Sequence, residues 1–240
     1  GRNAAGANAV SPFTVTVTNR HGRTASEPFF LRRADLREGL ALHFSGDAAE
    51  LARPGADLRR HGSGWRAVTD RHGRAGGAVA FDGQGGLRLP FTNQPAGATP
   101  RTLAAWVKTE DVPPHQPAFA HFGMGDWHGR MFGLGVSAGQ PVFWGGSRDA
   151  GSSLRVEPGA WHFLAVVYDP PWLVFRVNGE SERVPAPELA TVSSGGLWLG
   201  VETVNDGAGF RGHFRGTLDE VWVHARALSA DELAQLREEE

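Results

Sequence analysis

Apolar and polar residues alternate in short runs along this chain, and glycine, proline or charged clusters interrupt each run. Alternation of this kind marks strands with one buried face. Residues 13–18 alternate strictly, Asn19-Arg20-His21-Gly22 is a turn, and residues 24–31 can return as a second strand. From Gly39 the same reading places strands at 40–44, 78–81, 86–89, 102–108, 118–122, 131–136, 141–144, 161–168, 172–177, 196–200 and 212–224. Runs 161–168 and 172–177 are the strongest pair, joined by Asp169-Pro170-Pro171, and Asn178-Gly179 after them favours a type I′ hairpin turn. Residues 63–74, rich in Gly and Arg, read as a loop. In the final strand, parity places Asp219 with Val221 and Val223 on the inward face, and Leu218, Trp222 and His224 on the other. That strand runs into a helix start. Ser229 with Glu232 three residues on is a capping box, flanked by Leu228 and Leu233 as a hydrophobic staple. Many short strands with one short terminal helix predict an all-β sandwich or barrel.

Composition narrows the functional classes. With 240 residues, a full core is within reach. There is no cysteine, so neither disulfides nor thiolate metal sites enter. The formal net charge of −2 argues against a nucleic-acid binder held by bulk electrostatics. Arginine supplies almost all the basic residues, with Lys108 the single lysine, which fits a GC-rich bacterial genome. No apolar run reaches the length of a membrane-spanning helix. The chain opens at Gly1 without a charged-then-apolar leader, as expected for a processed product or a piece of something longer. Residues 1–38 read as an N-terminal extension, either a remnant of an immunoglobulin-like domain or an added hairpin, and 39–240 as the main domain.

Segments in the main domain resemble a known family. Leu42-His43-Phe44, the run from Thr69 to Gly83, Leu103-Ala104-Ala105-Trp106-Val107-Lys108, Trp161 to Tyr168, Phe175-Arg176-Val177-Asn178-Gly179 and Gly216-Thr217-Leu218-Asp219-Glu220-Val221 are similar, in that order, to a laminin-G-like domain of the concanavalin A-like lectin/glucanase superfamily. The resemblance implies a two-sheet antiparallel jelly roll of a secreted or surface bacterial protein. Relatives bind glycans, bind proteins or space other domains, so the fold alone leaves the function open. It also implies a role for Asp219, whose position in similar domains can serve a structural calcium ion, with Asp82 or Asp47 as further acids. The other reading of Asp219 is a carboxylate tying down a neighbouring loop.

The strongest ligand candidate is the glycine-rich segment 123–130, which presents Asp126, Trp127, His128 and Arg130. Trp144, Arg148 and Asp149 repeat the combination in the next loop, and Asn205 can join the same rim. Sugars stack an apolar ring face on an aromatic while carboxylates, amides and guanidinium groups take the hydroxyls. The competing reading makes Trp127 and Trp144 packing aromatics of the sandwich. Trp106, Trp161, Phe163, Tyr168, Phe175 and Trp222, inside patterned strands, read as core or sheet-face packing. No strand carries the alternating carboxylates of sandwich glycosidases, and no nucleophile elbow or phosphate-binding loop is present. No histidine pair has zinc-motif spacing. The expectation is a non-catalytic carbohydrate-binding module, with a surface protein or neighbouring domains as the alternative partner and adhesion or spacing as the alternative role.

Overall fold

A computed structural model describes residues 10–18, 24–32, 34–51, 59–114, 117–124, 128–204 and 207–239. The chain divides into two compact units, residues 1–38 with 229–240, and residues 39–228.

The first unit holds the hairpin of β1 (Val10–Thr18) and β2 (Thr24–Arg32), and the C-terminal helix α2 (Ala230–Arg237). The expected capping box is present. Ser229 Oγ accepts the Glu232 N–H at 3.2 Å, and Glu232 Oε2 accepts the Ser229 N–H at 2.8 Å. Gln235 ties the helix to the segment after β2, donating to the Ala34 carbonyl at 2.9 Å and accepting the Ala34 N–H at 3.0 Å.

The second unit is a two-sheet antiparallel jelly roll. In chain order its elements are β3 (Leu40–Phe44), α1 (Ala48–Leu51), β4 (Arg59–His61), β5 (Trp65–Val68), β6 (Ala78–Asp82), β7 (Gly86–Pro90), β8 (Arg101–Thr109), β9 (Ala118–Gly123), β10 (Met131–Ser137), β11 (Gln140–Trp144), β12 (Ala150–Gly151), β13 (His162–Asp169), β14 (Trp172–Val177), β15 (Glu180–Pro185), β16 (Gly196–Leu199), β17 (Val201–Val204), β18 (Gly209–His213) and β19 (Arg215–His224). One sheet runs β15-β14-β13-β8-β19-β6-β5, with β3 also paired to β19; the other runs β12-β11-β10-β9-β16-β7-β4; β17 and β18 pair only with each other. The inner faces meet in an apolar core that includes Phe44, Phe81, Leu103, Phe122, Phe132, Phe143, Leu164 and Phe175. Rings interlock there, with Phe132 5.4 Å from Phe122 and 5.0 Å from Phe143.

Two expectations change. Residues 65–68 form β5 against β6 rather than loop, because the register to residues 78–81 satisfies their backbone groups despite the surrounding Gly and Arg. In β19 the parity breaks at Glu220. This residue sits at φ +53°, and the pairing to β8 shifts between Asp219 and Val221. The bulge puts Leu218 in the core with Val221 and Val223, and turns Asp219 to the outer face opposite Trp106. Trp106, Phe163 and Trp222 form an aromatic cluster on that outer face, with centroids 5.7 and 6.3 Å from Phe163. Tyr168 and Phe175 lie in the core, and half-buried Trp161 lies under Lys108 at 5.2 Å.

Glu182 clips the edges of the two sheets together. Its Oε2 accepts the Ser152 hydroxyl at 2.7 Å, the Ser153 N–H at 2.6 Å and the Ser153 hydroxyl at 3.0 Å. These bonds, led by Ser152, hold its carboxyl below the usual glutamate value. A depressed folded-state value gives stability that is present above the unfolded pKa and disappears as pH falls through the folded one. Glu182→Ala is therefore expected to lower stability by about 1 kcal/mol near neutrality, since the carboxylate keeps some solvent. In urea melts the difference from wild type should shrink once pH drops below the ordinary glutamate range.

Candidate functional site

The outer face of the β12-to-β4 sheet is built from one cross-strand row. Register places Arg88 opposite Trp198, Trp198 opposite His121, His121 opposite Gly133 and Gly133 opposite Trp144. Each of these side chains alternates with core residues of its own strand, such as Leu87, Leu197, Phe122 and Phe143, so it must point away from the core. The middle of the row lies beneath β17 and β18. The Thr203 N–H donates to His121 Nε2 at 3.2 Å, and the Phe210 ring stands edge-on to Trp198 at 6.0 Å. Gly200, at φ +75°, makes the turn from β16 into β17, and a Cβ there would collide with the Phe81 ring.

Trp144 stands at the open end of the row. It is half-buried, its indole N–H enclosed beside Gly135, where a Cβ would come within 2.8 Å of Nε1. The next loop folds back on itself, since Asp149 Oδ1 accepts the Gly145 N–H at 2.8 Å. Arg211 of β18 faces this loop from the other side and lies 3.9 Å from Glu202 of β17. Burial raises the Glu202 carboxyl above its usual value, and nearby Asp149 adds to this, while Ala118 and Arg211 offset part of it. Asp149 is exposed as a residue, yet partial shielding of its carboxyl raises it too, against the Gly145 bond and Arg211. The arrangement thus joins an indole, two carboxylates and a guanidinium.

Of the residues expected from sequence, Trp144, Arg148 and Asp149 share this loop, and His128 and Arg130 adjoin it. The Gly129 N–H donates to the Gly146 carbonyl at 3.1 Å, and the Arg148 stem packs beside Gly129. His128 is exposed, with φ +78°. Asp126, Trp127 and Asn205 lie outside the described residues. Glu202 and Arg211 were missed. Only the fold brings them to Asp149, and no spacing in the chain signals it.

Each of the acids expected to serve calcium is engaged within the chain. Asp219 is buried and receives Arg71 Nη1 at 2.6 Å. Asp47 pairs with Arg74 at 3.2 Å, and exposed Asp82 caps the turn at Gln84 at 2.9 Å. Among the described residues, no three His, Asp or Glu side chains gather around a common point. Through this bond Arg71 ties its loop to Asp219, the kind of contact the loop-anchoring reading expects. Burial still holds the Asp219 carboxyl above its ordinary value, although Arg71 opposes the shift.

The chain belongs to the concanavalin A-like lectin/glucanases superfamily, whose laminin-G-like family model matches residues 81–234. A search of characterised proteins finds no sequence relative. Among solved structures it is similar to domain 4 of AbnA, a GH43 extracellular arabinanase from Geobacillus stearothermophilus, in complex with arabinotriose. That match has a TM-score of 0.59 and 21% identity, covering 82% of this chain and 97% of that one. The binding domain of botulinum neurotoxin serotype D/C matches with a TM-score of 0.59 and 10% identity over 82% of this chain and 51% of that one. A Trypanosoma rangeli sialidase matches with a TM-score of 0.54 and 16% identity over 82% of this chain and 32% of that one. At these identities the likeness establishes the fold. No helix among the described residues is long and apolar enough to cross a membrane.

Proposed function

We propose that this chain is a non-catalytic carbohydrate-binding module of a secreted or surface-attached bacterial protein, with Trp144 as the sugar platform. The observation that carries this reading is the half-buried indole at the open end of the sheet row, flanked by Asp149, Glu202, Arg211 and Arg148. A pyranose or furanose ring can lie on the indole while the flanking groups take its hydroxyls. His128 and Arg130, across the Gly129–Gly146 bond, extend the same rim. Similar domains support the class of ligand. One was solved with arabinotriose, and work on botulinum neurotoxin type C, another structural match, describes interaction with two ganglioside molecules. Both carboxylates accept a backbone N–H and lie near the Arg211 charge, an arrangement that can also take ligand hydroxyls.

Calorimetric titration with neutral arabino-oligosaccharides and with sialylated oligosaccharides tests the reading. Saturable binding without release of reducing ends is the expected result. Hydrolysis of either set would assign catalysis instead, and binding that persists without Trp144 would move the site elsewhere.

A further inference from the structure

Three histidines meet at the β17–β18 pair, His121 from β9, His61 from β4 and His213 at the end of β18 itself, and two of their contacts, His121 with Thr203 and His61 with His213, oppose protonation. His121 of β9, fully buried, accepts the Thr203 N–H through Nε2, a bond that a proton on that nitrogen abolishes. On the other strand, the His61 ring of β4 stacks on Phe210 at 3.4 Å between centroids. His213 lies nearly parallel to His61 at 5.5 Å and to Phe210 at 6.4 Å. Two imidazolium rings at that spacing repel. His213 Nε2 is buried without a hydrogen-bond partner among the described residues, so a proton added there finds no acceptor among them. The strands so held are bonded in a sheet only to each other. Further contacts between the pair and its surroundings include the Trp198–Phe210 edge contact, the Ala118 N–H donated to the Glu202 carboxylate, and the close approaches of Val201 to Gly86, Gly207 to Trp198 and Gly212 to Pro117.

We propose that β17 and β18 form a proton-released cover over the sheet row, closed while His121 and His213 are neutral and lifted from Trp198 and His121 when they are protonated. Lifting would place Trp198 in the same open row as Trp144, lengthening the platform. That consequence, though not the motion, rests on the carbohydrate-binding reading.

The charged surroundings favour this direction. Arg88 of β7 lies over Trp198 at 6.0 Å, so positive charge already borders the cover. The carboxylates on this side are Glu202 of β17 and Asp149 of the 145–149 loop, and Arg211 of β18 faces both. Burial, and then His61, push His213 below its ordinary value. The open form therefore binds protons more readily, and closure weakens as pH falls through the ordinary histidine range towards the lower closed-state value.

Hydrogen exchange of the full chain, without any glycan, tests this at pH 7.5 and 5.0, with protection corrected for the intrinsic effect of pH. Peptides covering 201–213 should lose at least tenfold in protection at the lower pH, while those covering 162–169 keep theirs. The His61→Phe/His213→Phe variant should show a smaller loss. Adding His121→Gln, which keeps a non-titrating acceptor for Thr203, should reduce the loss further. Unchanged protection in the wild type, equal loss in both segments, or full pH dependence in the variants would overturn the proposal. Should the triple variant not fold, the wild type and the double variant still decide.

Discussion

Arg101→Met is expected to cost about 3–5 kcal/mol, a large part of the stability of a domain this size. The Arg101 side chain is fully buried in the second unit. Its Nε donates to the Thr99 carbonyl at 2.8 Å, Nη1 to Pro95 at 2.8 Å, and Nη2 to Ala96 at 3.1 Å and Gly97 at 2.8 Å. The guanidinium also lies over the rings of Phe132 and Tyr168, at 5.4 and 5.7 Å. Burial lowers its pKa to about 10, with Tyr168 opposing the shift, so at neutral pH it stays charged. Methionine fills much of the same space but leaves those carbonyls without their donor. The effect should reach the candidate site. Gly97 is bridged to Thr191 by N–H···O bonds of 2.8 and 3.3 Å, and the Val192 N–H donates to the Arg130 carbonyl at 3.2 Å. Urea denaturation of the variant should show a midpoint far below wild type, with Arg101→Lys between them because it keeps the charge but loses the planar fork. A loss under about 1 kcal/mol for Met would mean that the loop needs no buried donor.

Trp144→Ala is expected to weaken oligosaccharide binding by tenfold to a hundredfold, about 1.4–2.8 kcal/mol. The expectation follows from its position at the open end of the row, where its strand neighbour Phe143 does the core packing. The fold should survive the substitution. A fully core tryptophan would instead cost about 3–5 kcal/mol on truncation. Trp144→Phe should retain part of the affinity because a smaller ring still offers a stacking face.

The strand pattern made the sandwich legible, and Ser229 with Glu232 marked the terminal helix correctly, because both depend on local periodicity and local hydrogen bonds. Parity failed in β19 because one bulge residue, Glu220, reverses the facing of everything on its N-terminal side. Residues 65–68 escaped notice because their partners in β6 supply what their own composition does not. The candidate site was half legible. Trp144, Arg148 and Asp149 stood out as an aromatic with charges on one loop. Glu202 and Arg211 did not, since β17 and β18 are short and their meeting with Asp149 depends on how the pair folds over the sheet. Arg101 and Arg71 are the clearest omissions. A buried arginine has no signature in sequence, and its role appears only when its acceptors, a nearby loop for one and Asp219 for the other, are in place.

The most direct test of the proposed binding site is an oligosaccharide array probed in parallel with the wild-type chain and Trp144→Ala, with thermal melts of both. A coherent family of glycans retained by the wild type and lost by the variant, at similar melting temperatures, is the predicted result. A blank array for the wild type, or the same glycans retained by a well-folded Trp144→Ala, would contradict it.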